Sequence, residues 1–141
     1  MSHYAKLERM YLGAPISEEY DPDIDIEAGR AEVTLPVQER HFHPAHAAHG
    51  AVLFKALDDA AFFAANSLVE DVFVLTTNFD IHFTRPVSAG HVHAEGEVVN
   101  DNPRQLIADA VAYDDDGNQL ARGTGTFARS SMELSPDVGY E

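Results

Sequence analysis

The segment from His41 to Asp59 reads HFHPAHAAHGAVLFKALDD and contains the transition on which the fold depends. It begins as a polar loop with four histidines, and at Gly50 it becomes apolar with helical spacing. The predicted helix runs to about Leu68 and is apolar around most of its circumference. Because a helix that is apolar nearly all round is a buried one, we expect the rest of the chain to surround it.

Two polar groups within this segment suggest a catalytic function. The start of a helix leaves backbone N–H groups without partners and carries a partial positive charge, so the N–H of Gly50 can hold an oxyanion. Asp58 lies deeper in the same apolar helix, where burial of a carboxylate is costly and suggests a functional role. An oxyanion donor and an acid or base in one segment make it a candidate active site.

Helical geometry separates Asp58 from its neighbour Asp59. With about 100° per residue, Asp59 falls beside Lys55 and Asn66 on a polar stripe, so we interpret Asp59 as a solvated partner of Lys55. Asp58 lies roughly 60° from Lys55, on a flank of small residues where a substrate has room. We therefore expect Asp58 to be the catalytic carboxylate; the alternative is an ordinary surface or interface charge.

Predicted strands flank the helix. A short helix from Ser2 to Leu12 and a hairpin around Gly29 come before it, and four strands follow it. The first of these strands has one polar face, which includes Thr76, and one apolar face, which comprises Phe73, Leu75, Phe79, Ile81 and Phe83. This order predicts an α+β fold in which an antiparallel sheet wraps one long central helix. We expect a single domain over residues 1–141, with a loosely held tail from about Ser130.

Composition narrows the possible partners and location. The chain has a formal net charge of −15 with only two lysines, which argues against nucleic acid and anionic membranes as partners. It has no cysteine, so a thiolate zinc site and a cysteine nucleophile are excluded. No apolar run approaches the roughly 18 residues that cross a bilayer, and the first residues do not read as a signal peptide. We expect a cytoplasmic protein.

The helix motif and its surroundings resemble a known family. His49-Gly50 at the helix start and an aspartate nine residues after the histidine are similar to the hotdog-fold thioesterases of the phenylacetic-acid-pathway and 4-hydroxybenzoyl-CoA type. The resemblance covers roughly residues 41–129 and includes FDIHFTRPVSAG at 79–90 and DDGNQLARGTGTF at 115–127. It implies a hotdog fold and hydrolysis of an acyl-CoA or related pantetheine thioester without metal or other cofactor. It also implies a homodimer or homotetramer with sites shared between subunits.

The resemblance also implies roles for individual residues. Asp58 matches the carboxylate that acts as base or nucleophile, Gly50 the backbone donor to the thioester carbonyl, and His49 the motif histidine. Thr76 matches a hydroxyl that helps to orient the attacking water. His43 stands where the family commonly has asparagine, and its imidazole could donate to the carbonyl or the water. For His49, His43 and Thr76 the alternative is a purely structural role in the loop or strand, and for Gly50 it is merely to ease the start of the helix.

Three alternatives remain open. The spacing of the loop histidines also allows a metal site, although the loop offers few acidic ligands, and we expect none; the histidines are His41, His43, His46 and His49. A hotdog enoyl-CoA hydratase or dehydratase would need a hydration motif that we do not find here. A non-catalytic acyl-CoA or small-ligand binder would keep the cavity but could lose Asp58.

Overall fold

The computed structural model describes residues 1–141. They form one six-stranded antiparallel sheet, one long α-helix, two short α-helices and two single-turn 3-10 helices. The helices are α1 (His3–Leu12), α2 (Pro15–Tyr20) and α3 (Gly50–Asn66). The strands are β1 (Asp23–Glu27), β2 (Arg30–Pro36), β3 (Val72–Phe83), β4 (His91–Asp101), β5 (Leu106–Tyr113) and β6 (Gln119–Glu133). The α+β class and the predicted sequence of hairpin, helix and four strands are confirmed.

The sheet has the order β1-β2-β4-β5-β6-β3, and α3 packs against one of its faces. The helix lies close to the sheet at Gly96 of β4, where a Cβ atom would overlap the carbonyl oxygen of Ala60. Small residues on α3 permit this distance, and Ala56, Ala60, Ala61 and Ala64 are fully buried. The prediction of a buried central helix is therefore confirmed.

The face pattern predicted for β3 is wrong in its first half. The pairing of β3 with β6 shifts between Thr76 and Asn78, so one extra residue forms a β-bulge. Before the bulge Val74 and Thr76 face the helix, and Leu75 is 51% exposed. After the bulge it is Phe79 and not Asn78 that packs against the core. A one-residue insertion exchanges the two faces of a strand, and so it moves Thr76 from the predicted polar face to the helix side.

The N-terminal helix is as predicted, with the Ser2 side chain accepting a hydrogen bond from the Ala5 N–H and Gly13 at its end. Helix α2, which begins at Pro15, was not predicted from the sequence. It adds a second element beside α1.

The expectation of a loose tail from Ser130 is wrong. Strand β6 continues to Glu133, and the Ser130 hydroxyl donates to the carbonyl of Phe73. Beyond it, the Tyr140 hydroxyl forms a 2.7 Å hydrogen bond with Nδ1 of His3. The chain end is thus attached to β3 and to α1.

None of the helices combines the length and the hydropathy that a membrane-spanning helix requires.

Candidate active site

Asp58 projects from the middle of α3 towards β3. The Thr76 hydroxyl donates a 2.9 Å hydrogen bond to its Oδ1, and its Oδ2 accepts none from the chain. Burial is the main cause that raises the pKa of Asp58 above its ordinary value; the charge of Asp59 adds to this effect, and the Thr76 hydrogen bond opposes it. One carboxylate oxygen is therefore positioned by Thr76, and the other is available to a water or a substrate.

Asp59 lies in a buried polar cluster, which corrects the prediction of a solvated stripe. Its Oδ2 accepts hydrogen bonds from Lys55 Nζ and from the Tyr11 hydroxyl, each at 2.6 Å. The side chains of Lys55 and Asp59 are only 10% and 17% exposed, and Asn66 is fully buried. The Lys55–Asp59 pair itself was predicted correctly. It is buried because α1 supplies Tyr11 and α2 supplies Tyr20, whose rings lie beneath Lys55 Nζ at 5.3 and 5.1 Å.

Both aspartates line one large cavity, of about 980 Å³. Its wall is half hydrophobic and is formed by the end of α1, by α3, by the first half of β3 and by the chain's last residues. Around Asp58 and Thr76 the apolar lining is Phe62, Phe73, Leu75 and Met132. The cavity can hold an apolar group of a ligand beside a carboxylate.

The start of α3 lies on a second, smaller cavity of about 360 Å³, which Gly50, His43, Phe83 and Arg85 help to line. The Gly50 N–H, at the first residue of the helix, donates to no acceptor in the chain. A side chain at position 50 would contact the Phe83 ring at 3.2 Å, so glycine leaves room for a ligand here.

The motif histidine caps the helix. Nδ1 of His49 accepts a 2.9 Å hydrogen bond from the Ala51 N–H, so a neutral ring carries its proton on Nε2. Nδ1 of His43 accepts from the Ala45 N–H at 3.1 Å in the same way. Both rings are thus held by the loop. Only His43 lines the smaller cavity, where its Nε2–H is available as a donor.

The predicted site residues divide into two groups within one chain. Asp58 and Thr76 line the larger cavity, and Gly50 and His43 line the smaller one. Asp58 follows Gly50 by eight positions in the helix, which corresponds to about 12 Å along its axis. One thioester carbonyl cannot reach both groups of a single chain.

The loop histidines are not brought together as a metal site. His41 Nε2 lies 2.9 Å from Oε1 of Glu19, and its ring stacks on Tyr20. His46 is exposed and has a positive φ of 65°. His41 therefore attaches the loop to α2.

Tyr11 and Arg85 also line these cavities, and neither was among the predicted site residues. Only the packing of α1 against α3 reveals the hydrogen bond that the Tyr11 hydroxyl donates to Asp59. Arg85 follows the end of β3, within the FDIHFTRPVSAG segment at 79–90. The structure distinguishes it, because Arg129 is engaged by Asp101 and by the carbonyl of Asn102, whereas Arg85 lines the cavity with Gly50.

An antiparallel sheet around one helix, with a helix carboxylate facing a cavity, is the architecture of a hotdog protein. The family model of the thioesterase superfamily matches residues 45–121, and the chain therefore belongs to the thioesterase superfamily. The PaaI protein of the phenylacetic acid degradation operon of E. coli has a TM-score of 0.86 at 21% identity, over 94% of this chain and 96% of that one. A thioesterase family protein of Silicibacter pomeroyi has a TM-score of 0.83 at 27% identity, over 90% and 97%.

A curated relative is similar to part of this chain. A Saccharolobus solfataricus protein described as a "putative esterase" is 32% identical over 79 residues, or 56% of this chain. The match spans 53% of that relative, so the chain corresponds to about half of its length. Together these comparisons confirm the hotdog fold and the predicted family.

Proposed function

We propose that this protein hydrolyses an acyl-CoA, or a related pantetheine thioester, to the free acid and the thiol. The observation that carries the proposal is the Asp58–Thr76 pair, which presents a free carboxylate oxygen to a large cavity with an apolar wall. The acyl group would lie against that wall. Burial raises the pKa of Asp58, which makes this carboxylate a stronger base than an exposed aspartate.

Asp58 then acts on the thioester carbonyl carbon. As a base it takes a proton from a water whose oxygen adds to that carbon; as a nucleophile it adds directly and forms an anhydride that water later cleaves. In either route the carbonyl oxygen becomes an oxyanion, which the Gly50 N–H at a helix start stabilises. The carbon–sulfur bond breaks, the thiolate leaves, and the proton released from water returns to the sulfur.

The active unit in this proposal is at least a dimer. Strand β3 is at the sheet edge, and it runs antiparallel to α3: Thr76 contacts Asp58, and Phe83 lies beside Gly50. Antiparallel pairing of two β3 edges would bring the Phe83 end of one copy to the Thr76 end of the other. Gly50 of one copy would then face Asp58 of the second. The exposed apolar residues Leu75 (51%) and Phe83 (55%) favour this edge as the contact.

The remaining cavity residues suit the polar parts of the substrate. Arg85 is the cation that lines the Gly50 cavity, and we assign it to a phosphate of the coenzyme. His43 Nε2–H is placed as a further donor to the carbonyl or the water. His49 acts through the helix start, because its Nδ1 fixes the first turn that carries the Gly50 N–H.

Incubation with a panel of acyl-CoAs and a thiol reagent tests the proposal. Release of one free thiol per acyl-CoA, lost in Asp58→Asn, is the expected result. Hydration of an enoyl-CoA without release of thiol would instead make the protein a hydratase. Binding of the panel without either reaction would make it a ligand-binding protein.

A further inference from the structure

Two histidines and an aspartate meet on the sheet face that is turned away from α3. Alternation along β4 places His91 and His93 on the same face. Asp115, in the turn between β5 and β6, reaches across to both rings. Its Oδ1 lies 2.7 Å from Nε2 of His93 and 3.4 Å from Nδ1 of His91, and the three ligand atoms all lie within 4.8 Å of one another.

The turn holds Asp115 in this position through its own hydrogen bonds. Oδ1 of Asp114 accepts from the N–H groups of Asp116 and Asn118, each at 2.9 Å, and Oδ2 accepts from the Asn118 amide at 3.1 Å. Gly90, just before β4, leaves the space that the Asp115 carboxylate occupies, since a Cβ atom there would overlap Oδ2. The cluster is thus built from a fixed turn and two strand positions.

We propose that His91, His93 and Asp115 bind a divalent transition metal ion, of which Zn²⁺ fits best. Two imidazoles and one carboxylate are typical of zinc, whereas Mg²⁺ and Ca²⁺ prefer oxygen ligands alone. Tetrahedral zinc with bonds near 2.1 Å separates its ligand atoms by about 3.4 Å. The observed His91–Asp115 distance already equals this value, and the His93–Asp115 distance needs to widen by less than about 1 Å.

The proposed metal site is separate from the proposed thioesterase site. None of its three residues lines the cavity of Asp58 or that of Gly50. Their side chains are about half exposed, so an ion reaches them without any opening of the fold. The bound ion would attach the β5–β6 turn to the start of β4 in place of two hydrogen bonds. Three protein ligands would leave one position for water or an external ligand.

Calorimetric titration of the chelator-treated, full-length protein with ZnCl₂ tests the proposal. We expect saturable binding of one ion per chain with a micromolar or lower Kd, and no binding of Mg²⁺. His93→Ala and Asp115→Asn should each weaken zinc binding by a factor of about 10 or more. His46→Ala, which removes an exposed histidine of the loop, is the matched control and should bind zinc as the wild type does.

Thermal unfolding gives a second readout. Excess Zn²⁺ should raise the Tm of the wild type by about 5 °C and leave the Tm of His93→Ala unchanged. Circular dichroism without metal confirms that each variant is folded before its binding is compared. Absence of saturable binding by the wild type would overturn the proposal. Binding that survives His93→Ala, or that is lost in His46→Ala, would also overturn it.

Discussion

Asp58 and Asp59 are adjacent carboxylates whose charges have opposite consequences. Burial raises the pKa of both. Asp59 is nevertheless compensated, because Lys55 and Tyr11 donate to it, whereas Asp58 receives one hydrogen bond from Thr76. A buried charge with few partners destabilises the fold and is available for chemistry. Removing one partner of a buried ion pair lowers the free energy of unfolding strongly, because the other charge stays buried and uncompensated.

The two asparagine variants should therefore separate activity from stability. Asp58→Asn should lower kcat by about 10² or more and leave the fold as stable as the wild type or more stable, since a poorly compensated charge is removed. Asp59→Asn should lower the free energy of unfolding by about 3 kcal/mol, because Lys55 remains buried without its partner. Urea unfolding and steady-state kinetics measure the two effects.

This outcome differs from the expectation for a solvated Asp59, whose substitution would cost only about 0.5 kcal/mol. The control is the double variant Lys55→Met/Asp59→Asn, which removes both charges and should recover most of the lost stability. If Asp58→Asn were fully active and Asp59→Asn were stable but inactive, the catalytic role would belong to Asp59.

Thr76 should control the pH range of activity. Its hydrogen bond favours the charged form of Asp58, so Thr76→Val should raise the pKa of Asp58 further. Because the carboxylate is the active form, the acidic limb of kcat/KM should move to higher pH. Thr76→Ser keeps the hydroxyl and should leave the limb in place. Equal profiles for the two variants would assign Thr76 to packing alone.

Asp58 should also give stability a pH dependence. Its folded-state pKa lies above its ordinary value of 3.8, so the folded protein retains this proton at pH values where the unfolded chain has lost it. The contribution of Asp58 to stability therefore falls as pH rises from 3.8 through the raised pKa, and the carboxylate is fully unfavourable above that range. The difference in Tm between Asp58→Asn and the wild type should vanish in acid and favour the variant above it.

At the scale of elements, the sequence predicts what a single element specifies by itself. The apolar run of α3 and the short helix α1 depend on local signals, and both were predicted correctly. Two interpretations failed because they depend on contacts made by other elements. The polar stripe of α3 is buried because α1 and α2 cover it. The bulge after Thr76 is invisible in an alternating pattern, because Leu75 and Phe79 fit one face if no residue is extra.

The features of the candidate site divide in the same way into those that the sequence predicts and those that depend on packing between elements. Asp58 and Gly50 were selected from helix geometry and the family resemblance, and both line cavities. That they lie in different cavities could not be read from the sequence, because both belong to one helix and the difference arises from how β3 packs along it. His91, His93 and Asp115 meet only through the pairing of β4 with β5 and the turn that follows.

The contact between α3 and β4 predicts a sensitive position. Gly96→Ala would place a methyl group against the carbonyl oxygen of Ala60, and a backbone atom cannot move away as a flexible side chain can. We expect the free energy of unfolding to fall by about 2 kcal/mol in urea titrations. Glu97→Ala, at the next position but on the exposed face between Arg30 and Asp109, is the control and should change it by less than about 0.5 kcal/mol. Equal stability of the two variants would mean that α3 does not press on the sheet at Gly96.

At the scale of the whole molecule, the chain has a net charge of −15, and some of its carboxylates lie opposite one another on the exposed face of the sheet. Strand pairing sets Asp25 directly opposite Glu32, and Glu32 opposite Glu95, and like charges in such positions repel. Added salt screens this repulsion, so the free energy of unfolding should rise between 0.01 M and about 1 M NaCl, as the Debye length falls from roughly 30 to 3 Å. Glu32→Gln should be more stable than the wild type by about 0.5 kcal/mol at low salt and equal to it at high salt. A stability that falls with salt would contradict this assignment.

The separation of Gly50 from Asp58 leads to the most direct test of a shared site. Gly50→Pro removes the N–H that would hold the oxyanion. The start of a helix tolerates proline, and His49 already has the extended backbone (φ −58°, ψ 145°) that a following proline requires. We expect kcat to fall by about 10² to 10³ in Gly50→Pro. Gly50→Ala, which has the added Cβ atom but retains the N–H, should be affected much less.

Mixed dimers of the two inactive variants should then recover enzymatic activity. In a dimer with shared sites, Gly50→Pro supplies an intact Asp58 and Asp58→Asn supplies an intact Gly50. A heterodimer therefore has one site with both groups and one site with neither. If equal amounts are unfolded together and refolded, half of the dimers are mixed, and activity should return to about a quarter of the wild-type value. Sedimentation must show that both variants are dimers before mixing. If the mixed dimers stay inactive although they form, Gly50 and Asp58 do not act on one substrate across the subunit boundary, and the shared site is wrong.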